Sequence, residues 1–142
     1  MFERTTPHIL IIEDNPQDVD LLRHALGKTG ARLILDVARD GEEALAFIKR
    51  WEDGAPTPIL ILLDLKLPKM DGFEVLKNFK THPRYRALPV VILTASGDSG
   101  DMYRSYALGA NSYLLKSIDY DQFSQAIRLI YRYWCVLNIR PE

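Results

Sequence analysis

The chain predicts a doubly wound α/β domain: five parallel strands in the order 2-1-3-4-5, with helices on both faces in three layers. Three observations carry this. Five short apolar runs recur along the chain, and stretches of helical periodicity separate them. The first and third runs, His8–Ile12 (HILII) and Ile59–Leu63 (ILILL), are apolar without alternation, as strands covered on both faces are. With right-handed crossovers, placing those two in the middle gives the stated order.

The elements follow in turn. His8–Ile12 is the first strand, ending at Glu13-Asp14. Asn15-Pro16 opens a helix, because Asn caps a first turn and Pro has no N–H to leave unpaired there. Val19, Leu21, Leu22, Ala25 and Leu26 form its stripe, and Gly30 closes it. Leu33–Ala38 is the second strand. Ala44, Leu45 and Ile48 mark the second helix, which ends near Trp51 before the turn-rich loop Asp53–Pro58. Ile59–Leu63 runs into Asp64, and a Pro68–Gly72 turn leads to a helix carrying Phe73, Leu76 and Phe79, stopped by His82-Pro83.

Val90–Thr94 is the fourth strand. Ser96–Gly100 reads as a mobile polar loop, followed by a short helix through Met102, Tyr106 and Ala107 to Gly109. Ser112–Leu115 is the fifth strand, ending at Lys116. The last helix is expected from Asp119 to about Leu137, on a stripe of Phe123, Ile127, Ile130, Trp134 and Leu137.

Composition narrows the function classes. The 142 residues, 47% hydrophobic and 26% charged, fit one domain with its core at about residues 8–137. A net charge of −1 argues against a nucleic-acid surface. No apolar run approaches the ~20 residues that cross a bilayer. The single cysteine, Cys135, has no internal partner, and MFERTTP lacks a signal peptide's apolar core, so a cytoplasmic protein is expected. The chain stops soon after its last helix, so a single domain with no output domain is expected.

Chemistry gathers at the strand ends. In a parallel sheet Glu13, Asp14, Asp64, Thr94 and Lys116 share the carboxyl edge, where open α/β sheets bind ligands. Three carboxylates together repel one another, and a divalent cation relieves that. Oxygen donors with room for water suit Mg²⁺. An ionised Asp, with a reference pKa of about 3.9, is then a nucleophile toward a phosphoryl group. The Lys116 ammonium and the Thr94 hydroxyl are available to its oxygens. Taken singly, each residue has a plainer reading: Glu13-Asp14 as a turn or cap, Thr94 as a strand former, Tyr113 as strand packing, Lys116 as a solvated charge. The joint register carries the argument. His8, His24 and His82 have no ligand spacing and read as surface residues.

The set formed by ED after the first strand, LLDLKLPKMDG, VVILTAS and GANSYLLK resembles response regulator receiver domains of two-component signalling, over roughly His8–Tyr133. The resemblance implies a flavodoxin-like (CheY-like) fold and a phosphorylation-dependent switch fed by a sensor histidine kinase. It implies Asp64 as phosphoacceptor and Mg²⁺ held by Asp14, Asp64 and the Lys66 backbone carbonyl, with Glu13 acting through water. Thr94 and Tyr113 would be a switch pair, with Lys116 on the phosphoryl group. Lys66 and Ser96, two residues past Asp64 and Thr94, would tune the lifetime. The protein would be a regulator supporting its own phosphorylation and dephosphorylation rather than an enzyme.

Receivers usually follow the lysine with proline, where this chain has Ser117. A cis bond before a non-proline residue costs roughly 2.5–4 kcal/mol, so Lys116–Ser117 is expected to be trans. The Lys-Ser pair, the long loop before the third strand and the aromatic last helix resemble stand-alone receivers that partner bacterial phytochromes. Tyr131, Tyr133 and Trp134 are expected to be partly core and partly interface, and a homodimer through the fourth helix, fifth strand and fifth helix follows. Other readings stay open: a phosphate relay or sink, or a phosphorylation-independent docking module. A phosphatase with an Asp nucleophile would need a second Asp two residues on, where this chain has Lys66.

Overall fold

A computed structural model describes residues 6–116 and 119–141. Strands β1 (His8–Ile12), β2 (Ile34–Ala38), β3 (Leu60–Leu63), β4 (Val90–Thr94) and β5 (Ser112–Leu115) form one sheet in the order β2-β1-β3-β4-β5. Every pairing is parallel. The expected architecture is the one observed. Helices α1 (Pro16–Gly27), α2 (Gly41–Glu52), α3 (Gly72–Thr81), α4 (Ser99–Ala107) and α5 (Tyr120–Tyr131) supply the crossovers and the closing layer.

Strand alternation divides the core in two. Leu10, Ile12, Ile61, Leu63 and Ile92 face α2 and α3, meeting Ala44, Trp51, Leu76 and Phe79. Ile9, Ile11, Leu60, Leu62, Val91 and Leu93 face α1 and α5, meeting Val19, Leu22, Leu26, Phe123 and Ile127. Ile9–Ile12 and Leu60–Leu63 are buried and apolar throughout, and the acids Glu13 and Asp64 follow where these two central strands stop.

Four features of the helices differ from expectation. Helix α1 ends at Gly27, and Gly30 lies beyond it with φ +73°. The first turn of α4 takes in Ser99 and Gly100, which read as loop, because the Asp98 carboxylate accepts the N–H groups of Gly100 and Asp101. The expected α4 stripe does not hold: Met102 and Tyr106 are exposed, and Ser105 is the residue of that helix that is buried. The last helix is α-helical only to Tyr131. Arg132–Leu137 continue as a π-helix, closed by the Asn138 N–H donating to the Tyr133 carbonyl at 2.7 Å. Trp134 and Cys135 lean on the core there, while Tyr133 and Leu137 are exposed.

His8 is half-buried and shares a 2.8 Å hydrogen bond with Asp36, and half-buried His82 packs on the Tyr85 ring, so two of the three histidines are not the surface residues expected. The Lys116–Ser117 bond, expected to be trans, lies outside the described residues.

Candidate functional site at the carboxyl edge

The strand ladder aims the site residues. The Glu13 N–H donates to the Ala38 carbonyl, the Asp64 N–H to Ile12, and the Lys116 N–H to Thr94, so each strand end is pinned by its neighbour. Behind Asp64 the chain turns sharply. The Gly72 N–H returns to the Leu65 carbonyl at 2.9 Å. A β-carbon on Gly72 would lie 2.5 Å from the Leu65 α-carbon and 2.6 Å from the Asp64 carbonyl oxygen. The glycine of the KMDG turn is therefore required by close backbone approach. Lys69, at φ +68°, takes the left-handed position of the same turn.

Glu13 and Asp64 are buried and Asp14 is exposed, and one carboxylate oxygen from each lies within 4.8 Å of the others. Lys116 closes the group. Its ammonium donates to Glu13, to Asp64 at 2.9 Å and to Asp18 at 2.8 Å. Burial pushes the Glu13 carboxyl up to about 7; the Lys116 hydrogen bond opposes this and the Asp64 charge adds to it. Burial also works against the Lys116 charge. Its bonds to Asp18, Glu13 and Asp64 outweigh burial and hold the ammonium above the ordinary lysine range.

Thr94 is fully buried, and its hydroxyl oxygen accepts the Ser96 N–H at 3.3 Å. The Tyr113 hydroxyl donates to the Ser96 carbonyl at 2.7 Å. Thr94 and Tyr113 are thus linked through the backbone of one residue. The Ser96 hydroxyl is turned away, donating to Asp101 at 2.6 Å. The Lys66 side chain is exposed, while its N–H donates to Asp64 Oδ1 at 3.2 Å. Glu13, Asp14, Asp64, Lys66, Thr94, Ser96 and Lys116 lie at or just past the carboxyl ends of the strands, and Tyr113 reaches them through its hydroxyl. Asp18 was missed: three residues past the Asn15 cap, it reads as a first-turn acid facing the helix dipole.

The family model of the response regulator receiver domain matches residues 9–128. The chain belongs to the response regulator receiver domains. The receiver is 38% identical over 134 residues to the probable methanogenesis regulatory protein FilR2 of Methanothrix harundinacea, covering 94% of this chain and 86% of the relative. It is 38% identical over 128 residues to the response regulator Rcp1 of Synechocystis, covering 89% and 87%. The phosphorylated cyanobacterial phytochrome response regulator RcpA superposes with a TM-score of 0.90 at 36% identity, over 97% of this receiver and all of that chain. Receivers are phosphorylation-dependent switches that take their phosphoryl group from histidine kinases and bind a divalent metal, Mg²⁺. Rcp1 has been solved in a Mn²⁺-bound form.

The receiver's own residues fit such a cation. Three carboxylates converge on one point, with one ammonium to offset them. Among the described residues, no helix is long and apolar enough to cross a membrane.

Proposed function

We propose that Asp64 is the phosphoacceptor of this receiver. An Asp64 carboxylate oxygen attacks phosphorus, the P–N bond of the kinase phosphohistidine breaks, and the imidazole leaves with the electron pair. Asp14, Asp64 and the Lys66 carbonyl would hold Mg²⁺, with Glu13 through water; the cation would supply positive charge against the transferring oxygens. Lys116, which now joins Glu13 and Asp64, turns its ammonium to the phosphoryl group. The observation that carries this reading is the buried Asp64 carboxylate, bonded to Lys116 and within 4.8 Å of two further acids. In the test, acetyl phosphate with Mg²⁺ adds one phosphoryl group by mass to the wild-type chain and none to Asp64→Asn. Incorporation into that variant would overturn the assignment.

The switch runs through Ser96. A phosphoryl oxygen accepts from the Thr94 hydroxyl, and movement of Thr94 reaches Tyr113 through the Ser96 backbone that both side chains hold. The altered surface spans α4, β5 and α5. Exposed Tyr103, Tyr106, Leu115 and Leu129 lie on those elements, and they support a homodimer there, to be tested by light scattering across phosphorylation.

The likeness to a phytochrome response regulator supports a phytochrome kinase as donor. Lys66 and Ser96 flank the path of hydrolytic water and set the lifetime as the receiver sheds its own phosphoryl group. Lys66→Ala shortens that lifetime, measured as phosphoryl loss after the donor is removed. An unchanged decay would remove Lys66 from the account.

A further inference from the structure

We propose that Asp18 is a positioning residue for Lys116, holding the ammonium on the α1 side of the site when the other carboxylates are occupied. The inference rests on the reading of Asp64 and Lys116 given above and extends it to α1.

An ammonium has three N–H donors. All three are committed here, one each to Glu13, Asp18 and Asp64. These three acceptors differ in kind. Glu13 and Asp64 belong to the group whose oxygens converge within 4.8 Å, and Asp18 lies outside it. A divalent cation in that group draws the Glu13 and Asp64 charge to itself and repels the ammonium. Asp18 is the partner that such a cation does not take. It is also rigidly placed: α1 begins at Pro16, and the Asn15 side chain caps the N–H groups of Gln17 and Asp18. The lysine backbone is fixed on its other side by the N–H bond to Thr94 at 2.8 Å. Ser117 follows, with none of the constraint that a proline places on its neighbour. Asp18 supplies the restraint from the side-chain end.

The test uses the full chain, acetyl phosphate and Mg²⁺. Asp18→Ala lowers the saturating phosphorylation rate about ten-fold, short of the roughly 10²-fold cost of a full 1 Å misplacement because the Lys116 backbone stays fixed. The Mg²⁺ affinity measured by calorimetry stays unchanged. Asp18→Glu recovers most of the rate, and Asp18→Asn, which keeps the shape without the charge, falls between.

A double-variant cycle decides the mechanism. Asp18→Ala has no further effect in a Lys116→Ala background. Independently of turnover, the Lys116 ammonium proton signal in the Mg²⁺-saturated protein is sharp in wild type and lost in Asp18→Ala. A wild-type rate in Asp18→Ala, or the same ten-fold loss in the Lys116→Ala background, overturns the proposal. Only Asp64-dependent incorporation is scored, so phosphorylation of Asp64→Asn would overturn the phosphoacceptor reading separately.

Discussion

Strand β4 is buried at every position from Val90 to Thr94, whereas β5, paired beside it, is half-buried through Ser112–Leu114 and exposed at Leu115. The helices on either side show the same contrast. In α3, Phe73, Val75, Leu76 and Phe79 are buried, while α4 buries Ser105 and presents Tyr103 and Tyr106 to solvent. The two regions share one sheet and differ in what holds them. The centre is held by apolar burial, worth about 25 cal/mol per Å². The edge is held by directed hydrogen bonds, such as Tyr113 to Ser96 and Ser96 to Asp101. Elements with few buried apolar contacts open at the low end of the local stability range. The carboxyl-edge site sits between the two regions, with Asp64 anchored in the centre and Thr94 and Lys116 leading to the edge.

Phe79 gives the largest test of this contrast. It is fully buried and stacked on Trp51 at 5.9 Å between ring centroids. Phe79→Ala should cost about 3–5 kcal/mol in urea unfolding, as large-to-small changes at such sites do. A cost near that of a surface change would mean that the α3 side is no firmer than the α4 side.

Tyr113→Phe is intermediate. It keeps the ring and removes the donor to the Ser96 carbonyl. The net worth of such a bond is about 0.5–1.5 kcal/mol. The half-buried setting places the expected loss in the lower half, because water can reach the freed carbonyl. The sharper readout is coupling: Asp64 phosphorylation should still occur, while its effect on hydrogen exchange in β5 and α4 should shrink. Full retention of that effect would show that the Ser96 backbone is not the route.

The centre and the edge also differ in how legibly they were written in the sequence. Central strands announce themselves, since Ile9–Ile12 and Leu60–Leu63 can be little else, and the acids that end them mark the site. The edge is less legible. Met102 and Tyr106 sit at helical spacing, and spacing alone cannot tell a stripe facing the core from one facing solvent. Asp98 is a usable cap signal for the start of α4, but the Ser, Gly and Asp around it are equally loop formers. The π-helical turn after Tyr131 depends on how Trp134 and Cys135 settle on the core, a tertiary matter that no local pattern records. Asp18 had an ordinary local explanation as a first-turn acid, and only the convergence of β5 on α1 brings Lys116 to it.

The smallest effect on folding is expected at Tyr103, 80% exposed on α4. Tyr103→Ala removes little buried area, and surface changes of this kind fall within about 0.5 kcal/mol. Any consequence should therefore lie in association. If α4, β5 and α5 form the dimer surface, the variant should unfold with the wild-type urea midpoint and yet dissociate at higher protein concentration in light scattering. An aromatic ring is costly to leave in water and gains most when a partner covers it. A shifted midpoint would show that Tyr103 serves the fold of α4, and unchanged association would move the interface elsewhere. The variant thus separates what the edge contributes to holding the domain together from what it offers to another molecule.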